Sequence, residues 1–165
     1  VKSQFDYLDH IKYLRLAIET SRKARESGNT PFGAVLVGPE GDVLLEQGNV
    51  EITEKRCTGH AELVLVEKAS QIYDKDFLWQ CILYTSVEPC AMCTGAIYWS
   101  NVGTIIYALS ERQLLSLTRD HPQNPTLDLP CREIIACGQK DICVIGPFEE
   151  LAEEVIEVHK GYWER

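Results

Sequence analysis

The sequence predicts an α/β fold of three layers, α/β/α, with a five-stranded mixed sheet between helices. Two observations lead there. Five short runs rich in Val, Ile, Leu and Tyr are interleaved with helix-forming segments in the order α-β-β-α-β-α-β, an irregular stretch, then β-α. The first two of those runs are nearly continuously apolar, as strands are in a sheet covered on both faces.

Each element has its own warrant. Leu14, Ala17, Ile18, Ser21 and Ala24 recur at helical spacing, and Gly28 with Asn29 ends that run. PFGAVLV and VLLEQGN, joined by the turn PEGD, read as an antiparallel hairpin. HAELVLVEKASQ, 60 to 71, contains LVLV, which alone passes for a strand; Ala, Glu and Lys bracket it and favour helix. CILYTSV, 81 to 87, is a buried strand by its length and its β-branched and aromatic content. Pro89 suits the first turn of a helix that runs to about Ser100. TIIYAL follows as a strand, and DICVIG is the last. Residues 110 to 141, with Pro122, Pro125 and Pro130, read as a helix fragment plus loops, and a closing helix runs from about Phe148 to Trp163.

A chain of 165 residues fits one core, so residues 1–165 are expected to form a single domain. With 45% hydrophobic and 25% charged residues, the composition is globular rather than disordered. VKSQFDYLDHIKYL lacks the apolar segment of a signal peptide and no run is long enough for a membrane helix, so a soluble, cytoplasmic protein is expected. Seven cysteines without a secretion signal argue against a disulfide framework, and most are expected to be buried thiols. The net charge of -9 disfavours nucleic acid as a partner, because phosphate binding needs a basic face. The basic cluster Arg22, Lys23 and Arg25 reads as the solvated side of a helix.

VEPCAMCTG places Cys90 and Cys93 three apart behind Pro89. Such a pair serves redox chemistry, half of a structural zinc knot, or part of a catalytic metal site. A knot needs a second close pair, and Cys131, Cys137 and Cys143 are spaced too widely. A redox pair leaves TGHAE, with His60 and Glu62 two apart, unexplained. Side chains two apart diverge in mid-helix and converge only at a helix mouth, where Gly59 suits the turn. His60, Cys90 and Cys93 make a three-donor zinc set with the fourth position left for water, and Glu62 stands beside it as general acid and base. Together the pieces form the H-x-E…P-C-x-x-C signature of zinc nucleobase deaminases.

With PFGAVLV, Gly48-Asn49, TGHAE, YTSVEPCAMCTGAIYW and TIIYAL, the chain resembles the cytidine and deoxycytidylate deaminase superfamily over residues 10 to 109. Within it, the resemblance is to the small cytosine, guanine and tRNA adenosine deaminases. It implies one zinc per chain on His60, Cys90 and Cys93, with Glu62 carrying protons to a ring nitrogen and to the departing amine. It further implies that the backbone N–H groups of Ala61 and Cys90 bind substrate, that the Asn49 amide holds the base, and that the main-chain carbonyl near Glu88 receives the leaving amine. Phe32 would border the base. From chemistry alone Asn49 is equally a turn residue, and Phe32 equally core.

In the cytosine and guanine deaminases an aromatic, acidic C-terminal segment covers the site. Residues 148–165, ending GYWER, are therefore expected to act as a lid, with Trp163 as its aromatic and Glu164 as an acceptor for a ring N–H, unless Tyr162 and Trp163 merely anchor a terminal helix. TGAIYW resembles both the cytosine and the guanine enzymes, while 110 to 141 departs from the guanine pattern. The substrate expected is a small free base or nucleoside, guanine first and cytosine second. The alternatives are a tRNA adenosine deaminase, opposed by the acid-rich closing helix, and a non-catalytic module, opposed by Glu62. A homodimer is the family expectation, to which Leu114, Leu115 and Leu117 contribute unless they are core.

Overall fold

The computed structural model describes residues 9–164; the expectations placed on residues 1–8 and Arg165 lie outside them. Helix α1 (His10–Glu26) is capped by Asp9, whose carboxylate accepts the Lys12 N–H at 3.1 Å. It presents Leu14, Ala17, Ile18, Ser21 and Ala24 to the interior, as their spacing requires. The hairpin forms from β1 (Gly33–Val37) and β2 (Val43–Gly48), antiparallel with a register shift at Leu36/Val37. Next come α2 (Ala61–Ile72), α3 (Lys75–Trp79), β3 (Ile82–Val87), α4 (Ala91–Ser100) and β4 (Thr104–Leu109). The remainder holds α5 (Glu111–Thr118), α6 (Cys131–Ala136), β5 (Cys143–Ile145), a 3-10 turn (Glu149–Leu151) and α7 (Ala152–His159).

The strand order is β2-β1-β3-β4-β5. β1 pairs antiparallel with β2 and β3, whereas β3, β4 and β5 run parallel, which makes the sheet mixed. Alternation along the strands builds two cores. Val35, Val37, Tyr84 and Ile106 pack with α1 and α7, while Ala34, Leu36, Leu83 and Ile105 pack beneath α2, α4 and α6. The three layers are those the element order predicts.

Several local expectations change. β1, β3 and β4 are buried along their whole length, but β2 is a partly exposed edge strand, so the two-sided covering does not extend to it. KDFLW, with no assignment from sequence, is a five-residue helix capped by Asp74. The 110 to 141 segment contains two helices, the first opened by a capping box between Ser110 and Gln113. Pro89 lies before the helix, since Cys90 is the N-cap of α4. The closing helix ends at His159, and Gly161, at φ 71°, turns the chain so that Tyr162 and Trp163 fold back on the body. Cys57, Cys137 and Cys143 are exposed, against the expectation of mostly buried thiols. Among the described residues no helix is long and apolar enough to cross a membrane.

Candidate active site

Parallel strand order sends the ends of β3 and β4 to one edge of the sheet, where α2 and α4 begin. His60 is the N-cap of α2 in an extended conformation, while Glu62 is already inside the helix. That difference lets two side chains only two residues apart face one place. Gly59 is required by close packing: a Cβ there would stand 3.0 Å from Arg56 O and from the backbone of Glu51. On α4, Cys90 caps the helix and Cys93 lies one turn in.

The donor atoms of His60, Cys90 and Cys93 all lie within 4.8 Å of one another and can hold one metal ion. Cys90 Sγ is 3.5 Å from His60 Nδ1, and His60 Nε2 is 3.7 Å from Glu51 Oε2. A carboxylate behind a ligand imidazole orients the ring. A hydrogen bond with Cys93, then one with His60, draws the Cys90 thiol down to about 4. The bond to Cys90 raises His60 to about 9, and Cys93 is pushed up by its bond to Cys90 and by burial. The donors thus share protons among themselves, the protons a metal would displace. An imidazole and two thiols suit zinc in kind and number, and the N-termini of α2 and α4 favour negative charge at that spot.

Glu62 is buried, and burial, followed by the charge of Cys90, raises its pKa. Thr85 Oγ1 stands 2.8 Å from Glu62 Oε1 and 2.8 Å from Val87 O. A hydroxyl has one proton, and Val87 O only accepts; both contacts are complete when Glu62 is protonated and donates to Thr85. The site therefore favours a carboxyl that can hold a proton.

Beside this group opens a cavity of about 340 Å³. Phe32, Asn49, His60, Glu62, Glu88 and Cys90 line it. Asn49 Oδ1 accepts the Glu51 N–H at 2.9 Å, so the turn function uses the oxygen and leaves the amide N–H groups as donors. Ala61 opens α2, where a backbone N–H has no intrahelical partner. The Glu88 carboxylate accepts the N–H of Glu111 at 3.0 Å and of Cys131 at 2.8 Å, joining the starts of α5 and α6 to the metal loop.

Trp163 and Glu164 are not brought to the cavity. Trp163 stands behind Phe32 at 6.2 Å between ring centroids and donates to His159 Nδ1 at 3.0 Å, while Glu164 is exposed. The wall expected of them comes from Gln123, Asn124, Pro125, Thr126 and Leu127. No spacing in that segment signals such a role. Glu51 and Glu111 also line the cavity, and nothing in the sequence marks them, because an isolated acidic residue carries no pattern. Leu114 and Leu117 pack into the core, and Leu114 also reaches the cavity.

Fold and site together define an α/β/α protein in which one histidine and two cysteines at helix starts could hold a metal ion beside a buried carboxyl. Residues 8–109 match the family described as the cytidine and deoxycytidylate deaminase zinc-binding region. A Schizosaccharomyces pombe protein named "Probable cytosine deaminase" is 38% identical over 157 residues, 93% of this chain and 92% of that protein. The Bacillus subtilis tRNA-specific adenosine deaminase is 36% identical over 95 residues, 58% of each. The crystal structure of Bacillus subtilis guanine deaminase, 28% identical, superimposes with a TM-score of 0.61 over 88% of this chain and 91% of that one. The chain belongs to the cytidine and deoxycytidylate deaminase family.

Proposed function

We propose that the protein is a zinc-dependent hydrolytic deaminase of a small amino-heterocycle, a free base or nucleoside, with guanine the first substrate and cytosine the second. The observation that carries this reading is the character of the cavity. It is small, four carboxyl groups line it (Glu51, Glu62, Glu88 and Glu111), and among the described residues no lysine or arginine does. A phosphorylated substrate or a folded RNA loop would meet repulsion there, whereas a neutral ring bearing N–H donors would not.

His60, Cys90 and Cys93 would hold one zinc ion per chain. When bound, zinc supplies the activation of a water molecule near neutral pH. Glu62 takes up a proton and delivers it to the ring nitrogen beside the amino-bearing carbon, then to the departing amine. Thr85 keeps the Glu62 carboxyl in place. The Asn49 amide would donate to a carbonyl of the base, Phe32 would border the ring, and the N–H groups of Ala61 and Cys90, which lie at helix starts, would bind substrate. The amine leaves toward the Glu88 carbonyl. Water and the amino-heterocycle thus become the oxo-heterocycle and ammonia.

A homodimer is part of the proposal. Met92, Gly95, Ala96 and Trp99 occupy one face of α4; Trp99 is 74% exposed, and a Cβ on Gly95 would meet nothing within 4 Å. Trp99→Glu is expected to convert a dimer to a monomer in light scattering, and a monomeric wild type would remove this part.

The deciding experiment is ammonia release from a panel of free bases, nucleosides and a tRNA anticodon stem-loop. Turnover of guanine or cytosine, lost on chelation and restored by zinc, is expected. Turnover of the RNA alone would transfer the assignment to the tRNA class.

A further inference from the structure

Each carboxyl that lines the cavity has a partner within the protein, with one exception that faces the open space. Glu51 stands against the His60 ring, Glu62 is engaged by Thr85, and Glu88 by two backbone N–H groups. Glu111 is 6% exposed, lines the same cavity, and among the described residues nothing donates a hydrogen bond to its carboxyl. Burial, then the charges of Cys90, Glu62 and Glu88, pushes this carboxyl up to about 8, and two N–H donors brought by a ligand would favour its charged form. Its carboxyl faces the cavity and not the packed interior, so donors to it would come from whatever occupies that space.

Its position narrows the role. Glu111 is the first residue of α5, and its backbone N–H is held by Glu88, the residue before Pro89 and Cys90. It therefore stands on the Cys90 side of the cavity, where the amino-bearing carbon of a substrate would lie. A carboxyl has two oxygens in one plane and is matched by two N–H groups side by side on a rigid edge. Guanine presents such an edge, with its amino group next to the N1–H. Neutral cytosine does not, because its amino group is flanked by an unprotonated nitrogen and a C–H.

We propose that Glu111 is a specificity residue that receives the paired amino and ring N–H groups of a guanine-type base. This rests on the reading of the site as a base deaminase and names the substrate class within it.

The test is kinetics of Glu111→Gln and Glu111→Ala on guanine and on cytosine, with zinc content and thermal unfolding measured on the same preparations. The glutamine variant replaces one acceptor oxygen by a donor that opposes an N–H. Its kcat/KM for guanine is expected to fall about 10- to 150-fold, the worth of a hydrogen bond to a charged group. Turnover of cytosine should change far less, and zinc content and melting temperature should not fall. Equal losses on the two bases, or unchanged kcat/KM for guanine, would overturn the assignment. So would a wild type that deaminates other bases but not guanine. A wild type inert toward the whole panel of bases and nucleosides instead removes the base-deaminase reading itself.

Discussion

The stretch from β1 to β4 and the stretch after β4 both line one cavity, by different means. The first places its groups at strand ends and helix starts, where backbone geometry holds them: His60 and Cys90 are both N-caps, and Asn49 follows directly on β2. The second uses the start of α5 and a loop, Glu111 and residues 123 to 127, and the buried carboxylate of Glu88 is one of its attachments to the first. The first stretch carries the three possible metal donors and Glu62, and the second completes the wall of the cavity.

The largest expected effect separates reaction from architecture. Glu62→Ala should keep its zinc while losing about 10²- to 10⁴-fold in kcat, the usual contribution of a positioned acid and base; metal analysis beside ammonia assays checks it, and substantial residual turnover would remove Glu62 from its role. Next is the attachment. Glu88→Gln turns an acceptor toward neither or only one of its two N–H donors, and is expected to cost about 1.5–3 kcal/mol in urea unfolding. Stability equal to wild type would mean that the two walls are held together otherwise.

Trp163 reaches the site through Phe32 and through His121, which accepts the N–H of the cavity residue Gln123. Trp163→Ala should therefore raise KM about 2- to 10-fold, as loss of one aromatic contact of about 0.5–1.5 kcal/mol would, with zinc unchanged. An unchanged KM would sink the idea that the C-terminal turn supports substrate capture. The smallest effect concerns His159, which accepts the Trp163 N–H. Burial, then the Arg25 cation, lowers it from 6.5 to about 3. A depressed folded pKa means that the unfolded chain binds the proton first, so stability present above about 6.5 is lost as pH falls toward 3. Between about pH 7 and 5.5 the loss should be roughly 1 kcal/mol. His159→Gln should lose that much less over the same interval in thermal unfolding; an identical slope would contradict the assignment.

The legible part of the sequence is the part governed by short range. Strands β1, β3 and β4 are apolar runs, and β-branched or aromatic residues place them within a residue or two. His60, Cys90 and Cys93 are legible because a metal demands particular donor types. Glu62 is legible because a carboxyl two residues from a donor imidazole can be brought beside it at a helix start. Local reading fails where neighbours distant in sequence decide. β2 is partly exposed as the edge strand of the sheet that the described residues form. α3 is too short to show a period, and α7 ends early because Gly161 folds the chain back on Phe32.

By itself the sequence determined the layered fold, the three donors and the acid beside them, since periodicity and ligand chemistry are written in local spacing. Only the tertiary structure decided which groups surround the substrate space. It set the 123 to 127 loop and Glu111 there, moved Trp163 behind Phe32, and gave the Glu88 carboxylate two backbone partners. Those contacts depend on where a connection with no period of its own comes to rest, and that is settled by packing and by hydrogen bonds across 23 and 43 residues of chain.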